Sequence, residues 1–450
     1  MSKVIKLKQG LDINLTGKAE KTLFSKTGKV SEFSLKPSDF PTLKPHLEIK
    51  AGDTVKAGSV LFTDKNQPEI CFCSPVSGTV SEIRRAERRR ITDVIIKSDG
   101  KDEYERFDVQ GFEKKSAAEL KQIVLKSGVW PYIIQRPFGI VADAKTTPKA
   151  VYISCFDSAP LAVDYQFSLR DDVADFQTGI NVIKKIAEAP VYLGLDAKNN
   201  ADIFMGVTGV EINKFDGPHP AGNAGVQIHH ICPINKGETV WTLDPQAVVI
   251  LGRLFNKGIY DANKTIAIAG SGVKNPAYVK TIANSAVATF VNGNLAEGEQ
   301  RIISGNVLSG TQITADGYLG FYDNQITVIP EGKEYEFMGW AAPGLGKFSF
   351  SHTFLSWLTP NKQYALNTNM HGEKRAYVVT GTFEKLVPMD ILPLQLIKAI
   401  LAENIELMEN LGIYEIVPED FALCEFADTS KTDIQAIVRK GLDLMVAETR

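Results

Sequence analysis

Two short stretches, GDTVKAGSVL at residues 52–61 and SPVSGTV at residues 74–80, decide the fold of the N-terminal part of the chain. In both stretches Gly, Asp, Ser and Pro supply turn conformations, and Val and Leu alternate between them as buried positions of short strands. The same pattern of turn residues and short apolar stretches extends over residues 36–100, whereas residues 1–35 show no strong signal for a helix or a strand. The pattern predicts a small all-β core.

This core resembles the barrel-sandwich hybrid of biotinyl and lipoyl carrier domains. Carrier domains present a modified lysine at a hairpin tip, and Lys65 stands near that position. Its context, TDKNQP at residues 63–68, lacks the residues that usually frame a modified lysine. Because a fold does not bring its function with it, we expect Lys65 to be an unmodified surface lysine.

Residues 1–110 therefore hold the N-terminal segment and this hybrid, and a different sequence pattern follows in residues 111–259. There, strand and helix signals alternate, as in the capping box SAAE at 116–119 and in a helix that begins at Asp244-Pro245 and ends at Gly258. Such alternation predicts a parallel, doubly wound, Rossmann-like α/β domain.

Residues 260–330 change back to short strands separated by glycines. Strands are predicted at 265–269, 305–310 and 326–329. These signals indicate a small β-grasp-like ligand-binding module. The expected class is a multidomain protein with α/β and β units.

The last part of the chain is predicted to be helical. Residues 331–385 look like an irregular or strand-like connection to a C-terminal helical domain at 386–450. One helix is expected over 394–408, where apolar residues keep helical spacing until Gly412, and a last helix is expected near 431–447.

Composition limits the possible functions. The chain has 450 residues, which predicts two to four domains, and its net charge of −3 gives no reason to expect nucleic acid as a partner. No run approaches the ~18 apolar residues of a membrane-spanning helix, so any membrane role is expected to be peripheral. The absence of an apolar leader and the five scattered cysteines favour a cytoplasmic location without disulfides.

The densest group of polar side chains surrounds GPHPAGN at 217–223 and includes His219, Asn223, His229 and His230. Imidazoles are plausible zinc or copper ligands, but adjacent histidines on an extended segment point to opposite faces, and no acid lies between His219 and Cys232. We therefore expect no metal. A binding or docking loop and a rigid structural turn both remain open.

Other motifs do not complete a catalytic centre. GSG at 270–272 and GLGK at 344–347 fail the spacing of dinucleotide and phosphate loops. Five arginines between residues 84 and 90 are typical of a solvated hairpin, and they also suit acidic lipid headgroups or a partner protein. No self-contained catalytic or redox centre is visible in the sequence.

Together, several motifs carry a resemblance to one family. In addition to the N-terminal stretches, they are GPHPAGN at 217–223, ISG at 303–305, YLG at 318–320 and ALCE at 422–425. From Met1 to about Leu444 the chain resembles the A subunits of sodium-translocating NADH:quinone reductases (Na+-NQR). It is more distantly similar to the C subunits of Rnf complexes and to the flavin-binding subunit of complex I.

The resemblance implies that a flavin site has been lost. In the flavin-binding relatives a glycine-rich loop of the form GRGGAGFPT cradles FMN, because glycine lets backbone N–H groups approach the phosphate. The corresponding stretch here is IQRPFGIVAD at 134–143, with Arg136, Phe138 and a single glycine, Gly139. Cys424 stands alone where those relatives carry cysteine clusters. We expect this chain to bind no cofactor, while the complex uses flavins, iron–sulfur centres, NADH and quinone.

The resemblance also implies a function. The whole complex is expected to oxidise NADH with quinone and to export sodium. This chain is expected to lie peripherally on the cytoplasmic face of the bacterial inner membrane. Its expected partners are the other subunits, especially the quinone-handling B subunit in the membrane, and quinone, which it helps to bind and reduce to quinol. The alternative is a structural docking subunit without quinone contact.

Overall fold

The structure is a computed structural model that describes residues 3–24, 28–199, 202–333, 336–339, 341 and 343–449. Its strands are β1 (Lys3–Lys6), β2 (Glu20–Leu23), β3 (Glu32–Leu35), β4 (Pro45–Leu47), β5 (Thr54–Val55), β6 (Val60–Asp64), β7 (Cys71–Cys73), β8 (Gly78–Arg85), β9 (Ile91–Ser98), β10 (Ile134–Arg136), β11 (Ile140–Val141), β12 (Val151–Ser154), β13 (Val191–Asp196), β14 (Glu211–Asp216), β15 (Val240–Thr242), β16 (Asn263–Ala269), β17 (Ala277–Ile282), β18 (Gln300–Ser304), β19 (Thr311–Ile313) and β20 (Gln325–Pro330).

The helices are α1 (Ala117–Lys126), α2 (Tyr165–Ser168), α3 (Val173–Ala187), α4 (Ala224–Ile231), α5 (Pro245–Lys257), α6 (Ala288–Val291), α7 (Pro393–Leu401), α8 (Ile405–Asn410), α9 (Ala422–Ala427) and α10 (Ile434–Thr449). Within the residues given above, no helix is long and apolar enough to cross a membrane.

A four-stranded sheet (β3-β9-β8-β5) and a three-stranded sheet (β4-β6-β7) make up the N-terminal β region. Phe33 of β3, Phe62 of β6, Phe72 of β7 and Val80 of β8 are buried in one continuous core. The predicted all-β core is therefore present. Lys65 is exposed in the turn after β6.

A seven-stranded mixed sheet has the order β1-β14-β13-β12-β15-β10-β11. The strands from β1 to β15 are parallel, whereas β10 runs antiparallel to both β15 and β11. The prediction of a parallel sheet was wrong at this edge. The short turn at 137–139 returns the chain as β11 directly beside β10 and leaves no room for the crossover helix that a parallel pair needs, and β10 also lies antiparallel to β15.

The N-terminal residues, which we expected to carry no strong element, are distributed between two sheets. β1 is the outer strand of the seven-stranded sheet, and β2 is the outer strand of a six-stranded sheet with the order β19-β18-β20-β16-β17-β2. Both are short strands that find their partners far along the chain, so no local signal marks them.

The six-stranded sheet confirms a β-rich unit near 260–330, with a core of its own that includes Ile266, Leu319 and Val328. The predicted strand at 305–310 was wrong. These residues connect β18 to β19, and Gly305 takes a φ of +96° that suits a turn rather than a strand.

The C-terminal region contains α7 to α10 and shares a core with Ile5 and Leu7 of the N-terminal segment. The single helix predicted over 394–408 is divided into α7 and α8. Glu403 has a φ of +52°, and the Asn404 side chain accepts from the backbone N–H of Leu407, so it caps a new helix. Apolar spacing continues through this break, which is why it suggested one helix.

Helices α3 and α5 pack closely through two glycines. A Cβ placed on Gly179 would lie 2.1 Å from the carbonyl oxygen of Val248, and one on Gly252 would lie 1.8 Å from that of Asp175. Neither backbone can move without separating the helices. Glycine is therefore required at this contact despite its low helix propensity.

We predict that Gly252→Ala destabilises the chain by roughly 1–3 kcal/mol, since overpacking outweighs the gain of ~1 kcal/mol in helix propensity. The measurement is urea unfolding followed by circular dichroism. Gly206→Ala is the control, because a Cβ there meets nothing within 4 Å. Equal unfolding midpoints for Gly252→Ala and the unchanged protein would contradict the close helix contact.

Candidate functional site

A cavity of about 500 Å³ lies at the carboxyl ends of β12 and β15. Ser154, Phe156 and Asp157 reach it from the end of β12, and Leu243 and Asp244 reach it from the end of β15. β12 pairs with β13 on one side and with β15 on the other, and the chain continues from β12 to β13 before it returns to β15. Ligands bind parallel α/β sheets at such reversals of strand order.

Lys264 of β16 brings a positive charge to the cavity. Its side chain is buried, and its Nζ donates to the carbonyl oxygens of Phe321 at 2.9 Å and Asp323 at 3.3 Å. An ammonium group has three N–H donors, and among the described residues the third has no hydrogen-bond acceptor, although Nζ lies 5.6 Å from the centre of the Tyr132 ring. Burial lowers the pKa of Lys264 to about 8.

Asp244 also borders the cavity, and two groups donate hydrogen bonds to it. It caps α5 by accepting from the N–H of Gln246 at 2.8 Å, and it accepts a short hydrogen bond from the hydroxyl of Tyr165. The Tyr165 hydroxyl also accepts from Nδ2 of Asn324 at 3.2 Å. Burial raises the pKa of Asp244. These polar groups are fixed in position before any ligand arrives.

Two further carboxyl groups border the same cavity. Asp39 accepts from the N–H of Phe321 at 2.9 Å, and Asp157 accepts from the N–H of Ala159 at 2.8 Å. Burial raises the pKa of each to about 6. The cavity thus joins Asp39 from the N-terminal region, Asp157 from the seven-stranded sheet and Lys264 from the six-stranded sheet.

His219 and Asn223 of the GPHPAGN segment both line the cavity. Nδ1 of His219 lies 2.9 Å from Oγ of Ser158, and the same hydroxyl accepts from the N–H of Gly222 at 2.8 Å. Burial lowers the pKa of His219 to about 4, so the ring is neutral at pH 7. The Asn223 amide donates to the carbonyl oxygen of Glu419 at 3.3 Å.

His229 and His230 lie elsewhere. They are on α4, not on the extended segment that we expected, and they face the C-terminal region rather than the cavity. Nδ1 of His229 lies 2.7 Å from a carboxylate oxygen of Glu415, its Nε2 accepts from the N–H of Asp390 at 3.0 Å, and Nε2 of His230 donates to the carbonyl oxygen of Pro388 at 2.9 Å.

The four predicted residues are therefore separated into a cavity pair, His219 and Asn223, and an inter-region pair, His229 and His230. No cluster of three potential metal ligands occurs in the part of the chain that the structure describes. Whether any of the four contacts quinone stays a prediction.

The stretch at 134–143, which we expected to be a degenerate flavin loop, borders the same cavity and is held by the C-terminal region. Nη2 of Arg136 lies 2.5 Å from a carboxylate oxygen of Glu419, and its Nη1 lies 3.0 Å from one of Asp420. The carbonyl oxygen of Phe138 accepts from Nη1 of Arg439 at 2.7 Å, and a Cβ on Gly139 would lie 2.9 Å from the side chain of Val417.

This arrangement leaves little for a phosphate group. The Arg136 guanidinium is already engaged by two carboxylates, which would repel an added anion. We expected side chains to fill the former flavin pocket or to use it as a contact surface. Residues 417–420 do contact the loop, but the cavity remains beside them.

Sequence reasoning missed Lys264, Asp244 and Tyr165 as site residues. The sequence marked Asp244 only as the start of a helix. Its contact with Tyr165 depends on tertiary structure, which the sequence does not show. Lys264 carried a usable signal, because it is a charged residue in the apolar strand NKTIAIA at 263–269. A buried lysine generally requires a specific environment.

We predict that Arg136→Met destabilises the protein by ~3–5 kcal/mol, because it leaves the fully buried Asp420 without its charge partner. Urea unfolding measures the change. Lys440→Met is the control, since Lys440 and its partner Glu403 are both exposed, and the unfolding midpoint should barely move. If the two variants lose stability equally, the buried ion pair is not an important contact.

The buried His219 should make the free energy of unfolding depend on pH. Its pKa is about 4 in the folded chain, against 6.5 as the ordinary value. At this site the unfolded chain therefore binds an extra proton between these pH values, so the contribution of His219 to stability is complete above pH 6.5 and is lost as the pH drops toward 4. The pKa difference corresponds to roughly 3 kcal/mol.

We expect His219→Gln to remove this part of the pH dependence of the free energy of unfolding, measured between pH 4.5 and 7.5. His46→Gln replaces an exposed histidine and should keep the original slope. Identical slopes for the unchanged protein and His219→Gln would show that His219 is not held neutral by burial.

Comparisons with known proteins place this architecture in a family. The family models that match are described as the NqrA N-terminal barrel-sandwich hybrid domain over residues 5–99, the NqrA second alpha/beta domain over 115–260 and the NQRA C-terminal domain over 265–315. The first of these confirms the barrel-sandwich hybrid.

Curated relatives match the full length. The A subunit of the Na(+)-translocating NADH-quinone reductase of Neisseria meningitidis serogroup C is 34% identical over 449 residues, which is 99% of this chain and 100% of the relative. The A subunits of the same enzyme from Hahella chejuensis (34% over 443 residues, 98% of both chains) and Pasteurella multocida (32% over 448 residues, 99% of this chain and 100% of the relative) are similar.

Among solved structures, an NAD+-reducing [NiFe]-hydrogenase in the air-oxidized state matches 75% of this chain and 62% of its own, with 11% identity and a TM-score of 0.38. The full-length relatives decide the assignment. At 34% identity over 99% of its length, the chain belongs to the family of Na+-translocating NADH-quinone reductase A subunits.

Proposed function

We propose that this chain is a peripheral subunit of a membrane complex that oxidises NADH with quinone and exports sodium, and that its cavity binds quinone. The proposal places it on the cytoplasmic face of the bacterial inner membrane, beside the other subunits and especially the quinone-handling B subunit in the membrane. Support comes from the name of its full-length relatives and from the cavity.

The cavity is the observation on which quinone binding rests. Its volume of about 500 Å³ falls in the range of small-molecule sites. Phe156, Leu243 and Tyr322 offer apolar surface to a flat ring, while Lys264 has a free donor for a ring carbonyl oxygen. A quinone headgroup combines these two features, an apolar ring and carbonyl acceptors.

The proposal makes this chain a binding component rather than a carrier of electrons. Reduction of quinone to quinol takes two electrons and two protons, and the electrons would come from NADH through other subunits. The engagement of Arg136 by Glu419 and Asp420 supports the proposal that the chain itself holds no FMN. Its seven-stranded sheet would then be a Rossmann-like flavin domain that has lost its flavin, next to a β-grasp-like ligand-binding module and a C-terminal helical domain.

The alternative is a structural docking subunit without quinone contact. The contacts of His229 with Glu415 and Asp390, and of His230 with Pro388, favour a structural role for this part of the polar segment. They say nothing against a ligand beside His219, which lies in the cavity.

We expect the isolated chain to bind a short-chain ubiquinone or menaquinone analogue saturably in calorimetric titration. Lys264→Met should weaken that binding by about 10- to 100-fold, since a hydrogen bond to a charged group contributes ~1.5–3 kcal/mol. Lys274→Met, at an exposed position, is the control and should bind normally.

Because Lys264→Met removes a buried charge, its thermal unfolding is compared with that of the unchanged protein. Ala247→Leu, which places a larger side chain at the cavity wall, provides a second variant that retains Lys264. No saturable binding of either quinone by the unchanged chain would favour the docking alternative, and saturable FMN binding would overturn the loss of the flavin site.

A further inference from the structure

The hairpin of β8 and β9 ends in a strongly cationic tip, which we call the arginine tip (residues 84–90). Every residue of this tip is exposed, including its five arginines, Arg84, Arg85, Arg88, Arg89 and Arg90. With Glu82 and Glu87, the segment 82–90 has five positive and two negative charges, hence a net charge of +3, in a chain whose net charge is −3. The rest of the chain therefore carries −6.

Most of this positive charge has no partner among the residues that the structure describes. Arg84 pairs with Glu82 at 3.0 Å, and Nη1 of Arg85 donates to the carbonyl oxygen of Arg89 at 3.3 Å. Among the described residues, the side chains of Arg88, Arg89 and Arg90 form no hydrogen bond or ion pair. Like charges crowded at one tip repel each other, so an anionic partner would relieve this repulsion.

The backbone of the tip also disfavours the residues found there. Arg88 and Arg89 have φ values of +55° and +58°, a left-handed conformation that glycine adopts more easily than arginine. The two central positions of the turn thus combine backbone strain with like-charge repulsion. Neither term stabilises the isolated fold.

The chemistry of the tip distinguishes a lipid surface from a protein partner. Protein interfaces are centred on buried aromatic or apolar anchors, whereas the exposed tip offers only Ala86 between charged side chains. Electrostatic attachment to a bilayer requires no such anchor, because basic side chains near anionic headgroups are attracted without insertion.

We propose that the arginine tip binds the anionic headgroups of a phospholipid bilayer. The tip is a second attachment point for a chain whose family is named for a sodium-translocating enzyme, and it does not depend on quinone binding. Each net charge near an anionic surface contributes about a fivefold preference, so three give a preference for anionic over neutral vesicles on the order of 100-fold at low salt.

The test is sedimentation of the full chain with vesicles of phosphatidylcholine alone or with about a third of phosphatidylglycerol, at low and high salt. We expect binding to the mixed vesicles only, and its loss at high salt, where charges are screened. Equal binding to both vesicle types, or no binding to either, overturns the proposal.

Two variants with matched charge locate the site. The triple variant Arg88→Glu, Arg89→Glu and Arg90→Glu should lose vesicle binding, whereas Lys50→Glu, Lys198→Glu and Lys274→Glu, at three exposed positions outside the tip, should retain most of it. If both variants lose binding equally, overall charge rather than the tip is responsible, and the proposal is wrong.

A further variant guards against misfolding. The double variant Arg88→Gly, Arg89→Gly removes two charges and also removes the backbone strain of two non-glycine residues with positive φ. It should be at least as stable as the unchanged protein, and its vesicle binding should nevertheless be more than tenfold weaker. Unchanged vesicle binding by this variant overturns the proposal. Unchanged vesicle binding combined with failure to join the complex would assign the tip to an acidic protein partner instead.

Discussion

The ion pair of Arg136 with Asp420 joins the seven-stranded sheet to the C-terminal region. Both side chains are almost wholly buried, and a buried charge is tolerated only while its partner stays in place. The pair fastens the end of β10 to the segment 417–420, and the contacts of Gly139 with Val417 and of Asn223 with Glu419 join the same two parts of the chain. One wall of the cavity is therefore set by residues 284 positions apart in sequence.

The same pair balances the charge beside the loop at 137–139 from within the chain. In a phosphate-binding loop the ligand's negative charge would balance a nearby arginine. Here Glu419 and Asp420 supply that charge from the protein itself, and Arg439 holds the carbonyl oxygen of Phe138. The loop is thus ordered by permanent contacts. What remains open is the space at the carboxyl ends of β12 and β15, with Lys264 at its border.

The sequence predicted features that depend on neighbouring residues. The capping box of Ser116 with Glu119 and the helix that begins after Asp244 and ends at Gly258 are confirmed, because each is a local hydrogen-bonding pattern. The features that it missed depend on distant partners: the antiparallel strand β10, the cavity position of Lys264 and the contacts of His229. Residue spacing describes a helix face, but it does not show which part of the chain will cover that face.

The position of β1 has a consequence for how the chain is made. Lys3 of β1 pairs with Asn213 of β14, so the ribosome must add about 210 residues before the first strand finds its partner. At the usual ~5–20 residues per second, the segment waits roughly 10–40 s. Throughout that interval its backbone donors and acceptors are unpaired and open to wrong strand pairing. Among the strands of the seven-stranded sheet, β1 therefore waits longest for its partner while the chain is being synthesised.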